Sequence, residues 1–252
     1  MRERRSVEKR YAEFHGLYTG DFKRDVAIYL DLAAKFEGPV LDVGCGTGRV
    51  MAHLASSGHD VLGIDTSRAM LEVAVEYLKP WADRTRLLDL DLRHHAPAER
   101  FSVALAPLFT FNGLIDIEEQ RLFLRHLRRS VSSPGIVACD LFCPIALVRP
   151  EESGRWRELT RTWNGRRIHV SDCREMLTPL LERRIQRFHV DDEPQRELVS
   201  HRRYVPPLQA ARLFEEAGFE DVRWVQRYDL GSAAPIPDEA RPNEPFMVLA
   251  TV

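Results

Sequence analysis

The stretch PVLDVGCGTGRVMAHLASSGHDVLGIDTS, from Pro39 to Ser67, limits the fold more than any other part of the chain. PVLDVG is a short apolar run with no polar alternation, which reads as a parallel strand buried on both faces. Gly44, Gly46 and Gly48 then crowd the turn, RVMAHLASSG reads as a helix stopped by Gly58, and HDVLGID is a strand ending on Asp65. The unit repeats: TSRAMLEVAVEYL is a helix behind a Thr/Ser cap, and TRLLDLDL and FSVALAPLF are strands. IEEQRLFLRHLRRSV is a helix, and Ser133-Pro134-Gly135 turns the chain into the strand IVACDLF. Strands alternating with helices argue for a doubly wound sheet.

After Pro144 the pattern changes. RRIHVSDCREML, LERRIQRFHV and RELVSHRRYV alternate polar with apolar residues over strand lengths, with no helical pattern between them, and are expected to form an antiparallel meander. PLQAARLFEEAGF then reads as an amphipathic helix, EDVRWVQRY as a strand, and PFMVLATV as the closing strand. Gly231 to Pro245, with four prolines, is expected to be a long surface loop. Ahead of the first strand, Asp21 to Phe36 places Val26, Tyr29, Leu30, Ala33 and Phe36 at helical spacing. The expected fold is therefore α/β: a Rossmann-like doubly wound sheet of seven strands, the last antiparallel, with a small antiparallel β insertion after the fifth strand. Residues 1–143 and 205–252 form the first unit. Residues 144–204 form the insertion, placed as a cap on the acceptor side.

Glycines after a first parallel strand let the chain turn sharply and let a ligand approach bare backbone. A dinucleotide fingerprint needs G-x-G-x-x-G/A, and here Arg49 occupies the place of the last small residue. The spacing G-x-G-x-G suits a nucleoside bearing an amino-acid tail, with no pyrophosphate at the helix N-terminus. An acceptor at the end of the second strand then takes the ribose hydroxyls, and Asp65 stands there.

LDVGCGTG, with GIDTS about twenty residues on and DLDLR ending the third strand, resembles the class I S-adenosylmethionine-dependent methyltransferases over roughly the first 145 residues. The resemblance implies S-adenosylmethionine as cofactor. It implies that Asp42 lies near the methionine amino group, that Gly44 and Gly46 line the cofactor with Cys45, Thr66 and Pro107 nearby, and that Asp65 accepts the ribose hydroxyls. Asp91 with Leu92 meets the adenine; the family shows Gly-Asp-Met where this chain has Leu90-Asp91-Leu92, and Asp89 is the alternative carboxylate. The insertion, the aromatic segment YAEFHGLYTGDF and DLFCP at a strand end resemble small-molecule N-methyltransferases, including glycine N-methyltransferase and the amino-sugar N,N-dimethyltransferases. Such insertions also occur in small-molecule O- and C-methyltransferases.

Three further residues are catalytic candidates. Tyr18 can close over the methionine or the acceptor, since a phenol packs against a sulfonium and still donates a hydrogen bond. Asn112 lies just beyond the fourth strand and also suits a turn. Asp140, at the end of the fifth strand, can orient an amine or serve as a structural cap. His169, His189 and His201 fall one on each insertion strand and His94 with His95 are adjacent; no metal site is expected from them, nor from Cys45, Cys139, Cys143 and Cys173, which lack a CxxC pairing.

A net charge of −2, with both signs scattered, offers no field for nucleic acid. APLF also stands after the fourth strand in place of an NPPY-like tetrad. No run of about 18 apolar residues and no apolar h-region occurs, so no membrane partner is expected and the location is expected to be cytoplasmic. A homodimer through the insertion sheet is a further expectation.

The sulfonium already activates its methyl group, so alignment and exclusion of water are the main tasks, and a neutral amine needs little more than deprotonation. The reading is a methyltransferase acting on a small molecule, preferably at nitrogen. O- or C-methylation, a NAD-dependent dehydrogenase and a non-catalytic cofactor-binding scaffold are the alternatives.

Overall fold

The computed structural model of the 252-residue chain describes residues 11–16, 19, 22–142, 153–163, 166–190, 195–236 and 246–252. Of the residues singled out above, Tyr18, Asp21, Cys143, Pro144 and Pro245 lie outside these, as does the 237–245 part of the expected loop.

Five parallel strands form the centre of the main sheet: β1 (Val40–Val43), β2 (Val61–Asp65), β3 (Thr85–Asp89), β4 (Phe101–Ala106) and β5 (Val131–Leu141). Helix α1 (Val26–Lys35) precedes them, α2 (Arg49–Ser56) joins β1 to β2, α3 (Arg68–Tyr77) joins β2 to β3, and α4 (Ile117–Ser130) joins β4 to β5. A second sheet follows, the meander β6 (Trp156–Trp163), β7 (Arg166–Thr178), β8 (Leu181–Val190) and β9 (Arg196–Arg203). Helix α5 (Pro207–Glu216) and strands β10 (Glu220–Gln226), β11 (Ala234–Pro235) and β12 (Phe246–Thr251) return to the main sheet, whose order is β11-β10-β12-β5-β4-β1-β2-β3.

β12 runs antiparallel between β5 and β10, as expected for the closing strand. Two strands were not foreseen. β11 pairs only Arg223 with Pro235 and Trp224 with Ala234 at the sheet edge, where a proline costs no ladder bond. β6 precedes the three expected insertion strands, and its sequence WRELTRTW carries too many polar residues for its face pattern to stand out.

The continuous apolar runs have a simple cause: both faces of the sheet are covered. Leu41, Val43, Ala104 and Ala106 pack with Phe123, Leu124 and Leu127 of α4 and Phe214 of α5, while Val40, Val103 and Leu105 pack with Ile28 and Tyr29 of α1 and Met51 of α2. Burying each such large side chain stabilises the fold by about 1.5–3 kcal/mol, before the entropic cost of ordering it. α3 opens on Ser67, whose Oγ accepts from the amide of Met70, and α4 on Asp116, which accepts from Glu118.

The insertion sheet is fastened through its inner face. Residues 11–16 are helical, and there Tyr11 and Phe14 pack with Ile168, Val170 and Phe188. Gly16 of that helix lies against Thr47 of the glycine turn, so close that a Cβ at position 16 would sit 3.0 Å from the Thr47 hydroxyl. The helix is thus held between the insertion and the turn.

Candidate functional site

β1 ends at Val43, and the backbone passes through Gly44, Gly46 and Gly48 with φ of 69°, 55° and 87°, the left-handed region that glycine enters at low cost. The amides of Gly44 and Cys45 both donate to the carbonyl of Ile64, which pins the turn to β2. A Cβ on Gly44 would lie 2.6 Å from the Thr110 side chain, so this glycine is required by packing. A Cβ on Gly46 would meet nothing within 4 Å: it would project into open space. That space is a cavity of about 440 Å³, lined by the turn, by the ends of β1 and β2 and by the segments after β3 and β4.

Asp42 is 1% exposed, borders the cavity, and neither of its carboxylate oxygens has a hydrogen-bond partner among the described residues. Burial raises its pKa to about 7; Arg49 opposes the rise, while Asp65 and Asp25 add to it. Asp65 is held differently. Its Oδ2 accepts from the Gly46 amide at 2.9 Å and its Oδ1 from the Ser67 amide at 2.8 Å. A carboxylate has about four acceptor positions, so it retains acceptor capacity, and Asp65 lines the cavity. Burial raises its pKa too, against the lowering effect of those amide bonds.

Asp91 and Leu92 border the cavity in the turn after β3, whereas Asp89 does not: it ends β3 opposite Asp65 and is paired with the exposed Arg68. Of the two carboxylates weighed for the adenine, Asp91 is the one the fold brings to the site. It is already engaged, since the Arg93 guanidinium and backbone amide all donate to it, which holds its pKa below the usual carboxylate value. Cys45, Thr66 and Pro107 line the cavity as well.

Asn112 and Asp140 are placed otherwise than expected, behind the cavity. Asn112 is fully buried: its amide nitrogen donates to the carbonyls of Phe142 and Arg203, and its oxygen accepts from the Phe142 amide. With both amide hydrogens and its oxygen engaged it joins the end of β5 to the end of β9, so it is placed as a clamp. Asp140, also fully buried, accepts from the Tyr228 hydroxyl at 3.0 Å and from the amide of Leu108. Burial pushes its pKa well above the usual range. It supports the turn after β4, where Leu108 and Phe109 take φ of 46° and 65°, a conformation costly for residues with side chains.

Lining residues that were not expected at the site from the sequence include His15, Thr19, Arg49 and Thr110. Arg49 gives Asp25 a bidentate pair, at 2.8 and 2.6 Å, and donates to the carbonyl of Phe22 at 2.6 Å. Asp25 is wholly buried at the start of α1, so the residue that breaks the dinucleotide fingerprint also ties α2 to the segment entering α1. The signal was an acidic residue ahead of an apolar helix, too common to single out. Of the histidines, His169 and His189 face each other across β7 and β8 and are exposed, and no group of three or more potential metal ligands occurs among the described residues.

At its carboxyl edge the parallel sheet thus carries a glycine turn, a buried carboxylate and a cavity. Residues 40–135 match the family model for a methyltransferase domain. Three solved structures share its fold over nearly the whole length. They are an S-adenosylmethionine-dependent methyltransferase from Clostridium acetobutylicum (14% identity, 96% of this chain and 98% of that one, TM-score 0.77), the sugar N-methyltransferase of a Streptoalloteichus species (17%, 96% and 92%, 0.75), and an amino pentose methyltransferase from Micromonospora echinaspora, solved with S-adenosylmethionine bound (19%, 95% and 96%, 0.72).

Proposed function

We propose that the protein is an enzyme transferring the methyl group of S-adenosylmethionine to a small molecule, preferably to an amine nitrogen. The observation that carries the reading is Asp42, a carboxylate buried without a partner at the wall of a cavity whose facing glycine, Gly46, leaves open space. A buried carboxylate is costly until a cation or donor meets it, and the α-ammonium of the cofactor's methionine supplies one. Asp65, an acceptor at the cavity wall, suits the ribose hydroxyls; Leu92 and the edge of Asp91 suit the adenine. The bound cofactor supplies an electrophilic methyl on a sulfonium. The chain's own part is to hold that tail and nucleoside, exclude water and align the acceptor in line.

Nitrogen is preferred because sugar, amino pentose and glycopeptide N-methyltransferases recur among the structures sharing the fold, and because a neutral amine needs no strong base. The insertion is assigned to acceptor recognition and to homodimer contact. On its outer face Trp156, Cys173, Ile185 and Val199 lie in one register row across all four strands. Trp156 and Val199 are 40% and 43% exposed. No described helix is long and apolar enough to cross a membrane.

Parallel calorimetric titrations with S-adenosylhomocysteine and NAD, followed by transfer of isotope-labelled methyl into a metabolite extract, test this. Binding of the first ligand alone and label recovered on nitrogen are expected. NAD binding alone would return the dehydrogenase reading, label on oxygen or carbon would move the acceptor atom, and cofactor binding with no transfer would leave a scaffold.

A further inference from the structure

We propose that the polar end of the insertion sheet's inner face, centred on Arg202 and His15, binds an oxyanion carried by the methyl acceptor, either a carboxylate or a phosphate. The proposal rests on the methyltransferase reading and names the acceptor's chemistry.

The inner face divides along its length. One end, Ile168, Val170 and Phe188, is apolar and covered by Tyr11 and Phe14. Further along, the register rows become Arg174-Arg184-Ser200 and Met176-Glu182-Arg202, beside Asp172 and Gln186. Asp172, Glu182, Arg184 and Gln186 are all at most 6% exposed, an unusual load of polar groups for one buried face. Their pairing is incomplete. Asp172 takes both Arg174 and Arg184, and Glu182 accepts from the Tyr204 hydroxyl. Among the described residues, the Nε2 donor of Gln186, the Nδ1 of His15 and the Oε1 acceptor of Glu182 are buried without partners.

Arg202 is partly buried and lies 6.0 Å over the ring of Phe109, with no hydrogen bond or ion pair among the described residues. Phe109 follows Pro107 and Leu108, which line the cavity, and His15 lines it from the 11–16 helix. The guanidinium therefore stands beside segments that line the cavity. Glu182, opposite it in register, attracts it without a hydrogen bond among the described residues, so its planar fork keeps donors for the two oxygens of a carboxylate or phosphate. His15 gives the same indication. Tyr11 faces it from its own helix, Arg202 and Arg184 from the insertion and Arg49 from α2. Burial first, then these three cations, push its pKa down to about 4, so the imidazole is neutral and free to hydrogen-bond an anion held by Arg202.

The test uses the full chain saturated with S-adenosylhomocysteine, titrated calorimetrically with inorganic phosphate and separately with malonate, while NMR follows the His15 ring. Binding of at least one anion is expected, with the His15 pKa rising by about one unit or more. Arg202→Met should weaken that binding about tenfold or more, and Arg202→Lys should keep part of it, with the affinity for S-adenosylhomocysteine equal in all three proteins. Tighter phosphate binding would point to a phosphorylated acceptor, and tighter malonate binding to a carboxylic one. Neither anion binding to the wild type, or Arg202→Met binding it equally well, overturns the proposal. Failure of S-adenosylhomocysteine itself to bind would instead remove the methyltransferase reading beneath it.

Discussion

Asp42 and Asp65 border the same glycine turn, yet their surroundings give them different chemistry. Asp65 is fixed by two backbone amides and kept as an acceptor. Asp65→Ala should weaken S-adenosylhomocysteine binding at least tenfold by calorimetry, since a hydrogen bond to a charged group contributes about 1.5–3 kcal/mol; an unchanged dissociation constant would refute the ribose assignment. Asp42 is poised to titrate. Its pKa in the ligand-free fold, about 7, lies above the ordinary 3.8. The protonated form therefore favours the fold fully below about pH 4, and that contribution is lost as pH rises toward about 7. Binding a cationic tail runs the opposite way, because the ionised form is the one that pairs. Affinity for S-adenosylmethionine should rise between about pH 6 and about pH 8, with proton release, and Asp42→Asn should flatten that dependence. Both aspartates were legible because strand, glycines and acidic residues sit within one short stretch. The clamp made by Asn112 was not, since its partners Phe142 and Arg203 lie 30 and 91 residues away.

At the scale of elements, the glycine turn works as a cradle only while Gly46 stays bare. Gly46→Val should abolish cofactor binding through two effects, branched bulk projecting into the cavity and a β-branched residue forced to φ of 55°. A folded variant that still turns over would show that the ligand lies elsewhere. The tie between α2 and α1 depends on Arg49 and Asp25, whose side chains are 8% and 0% exposed. Arg49→Met leaves a buried carboxylate unanswered and should cost about 3–5 kcal/mol, read as a lower urea midpoint. The parallel strands and their helices were readable because burial on two faces leaves uninterrupted apolar runs. β6 was not, because one-sided strands need alternation, and in WRELTRTW arginine and threonine blur it. β11 was hidden for a different reason: a two-residue edge pairing is set by its neighbour β10 and has no pattern of its own.

For the whole molecule, the insertion offers the helix 11–16 one face and offers solvent another. The outer row Trp156-Cys173-Ile185-Val199 should be the centre of a dimer contact. Val199→Glu is expected to shift sedimentation from dimer to monomer without altering the affinity for S-adenosylhomocysteine; a wild type that sediments as a monomer at all accessible concentrations would remove this surface from consideration. The division into a cofactor half and an insertion was visible as a change from helical spacing to strand alternation after Pro144. What the insertion rests on was not visible, since contact between Tyr11 and Phe188 joins opposite ends of the chain and leaves no local trace.

The Arg49–Asp25 pair also bears on how such a chain can change over time. Replacing Arg49 by the small residue a dinucleotide turn requires would strand the Asp25 charge in the interior, and changing Asp25 first would strand Arg49. Neither single step is neutral, so the two positions have to move together. A residue that at first sight only spoils one ligand's fingerprint thereby acts as a ratchet, since either single replacement in the pair lowers the stability of this chain.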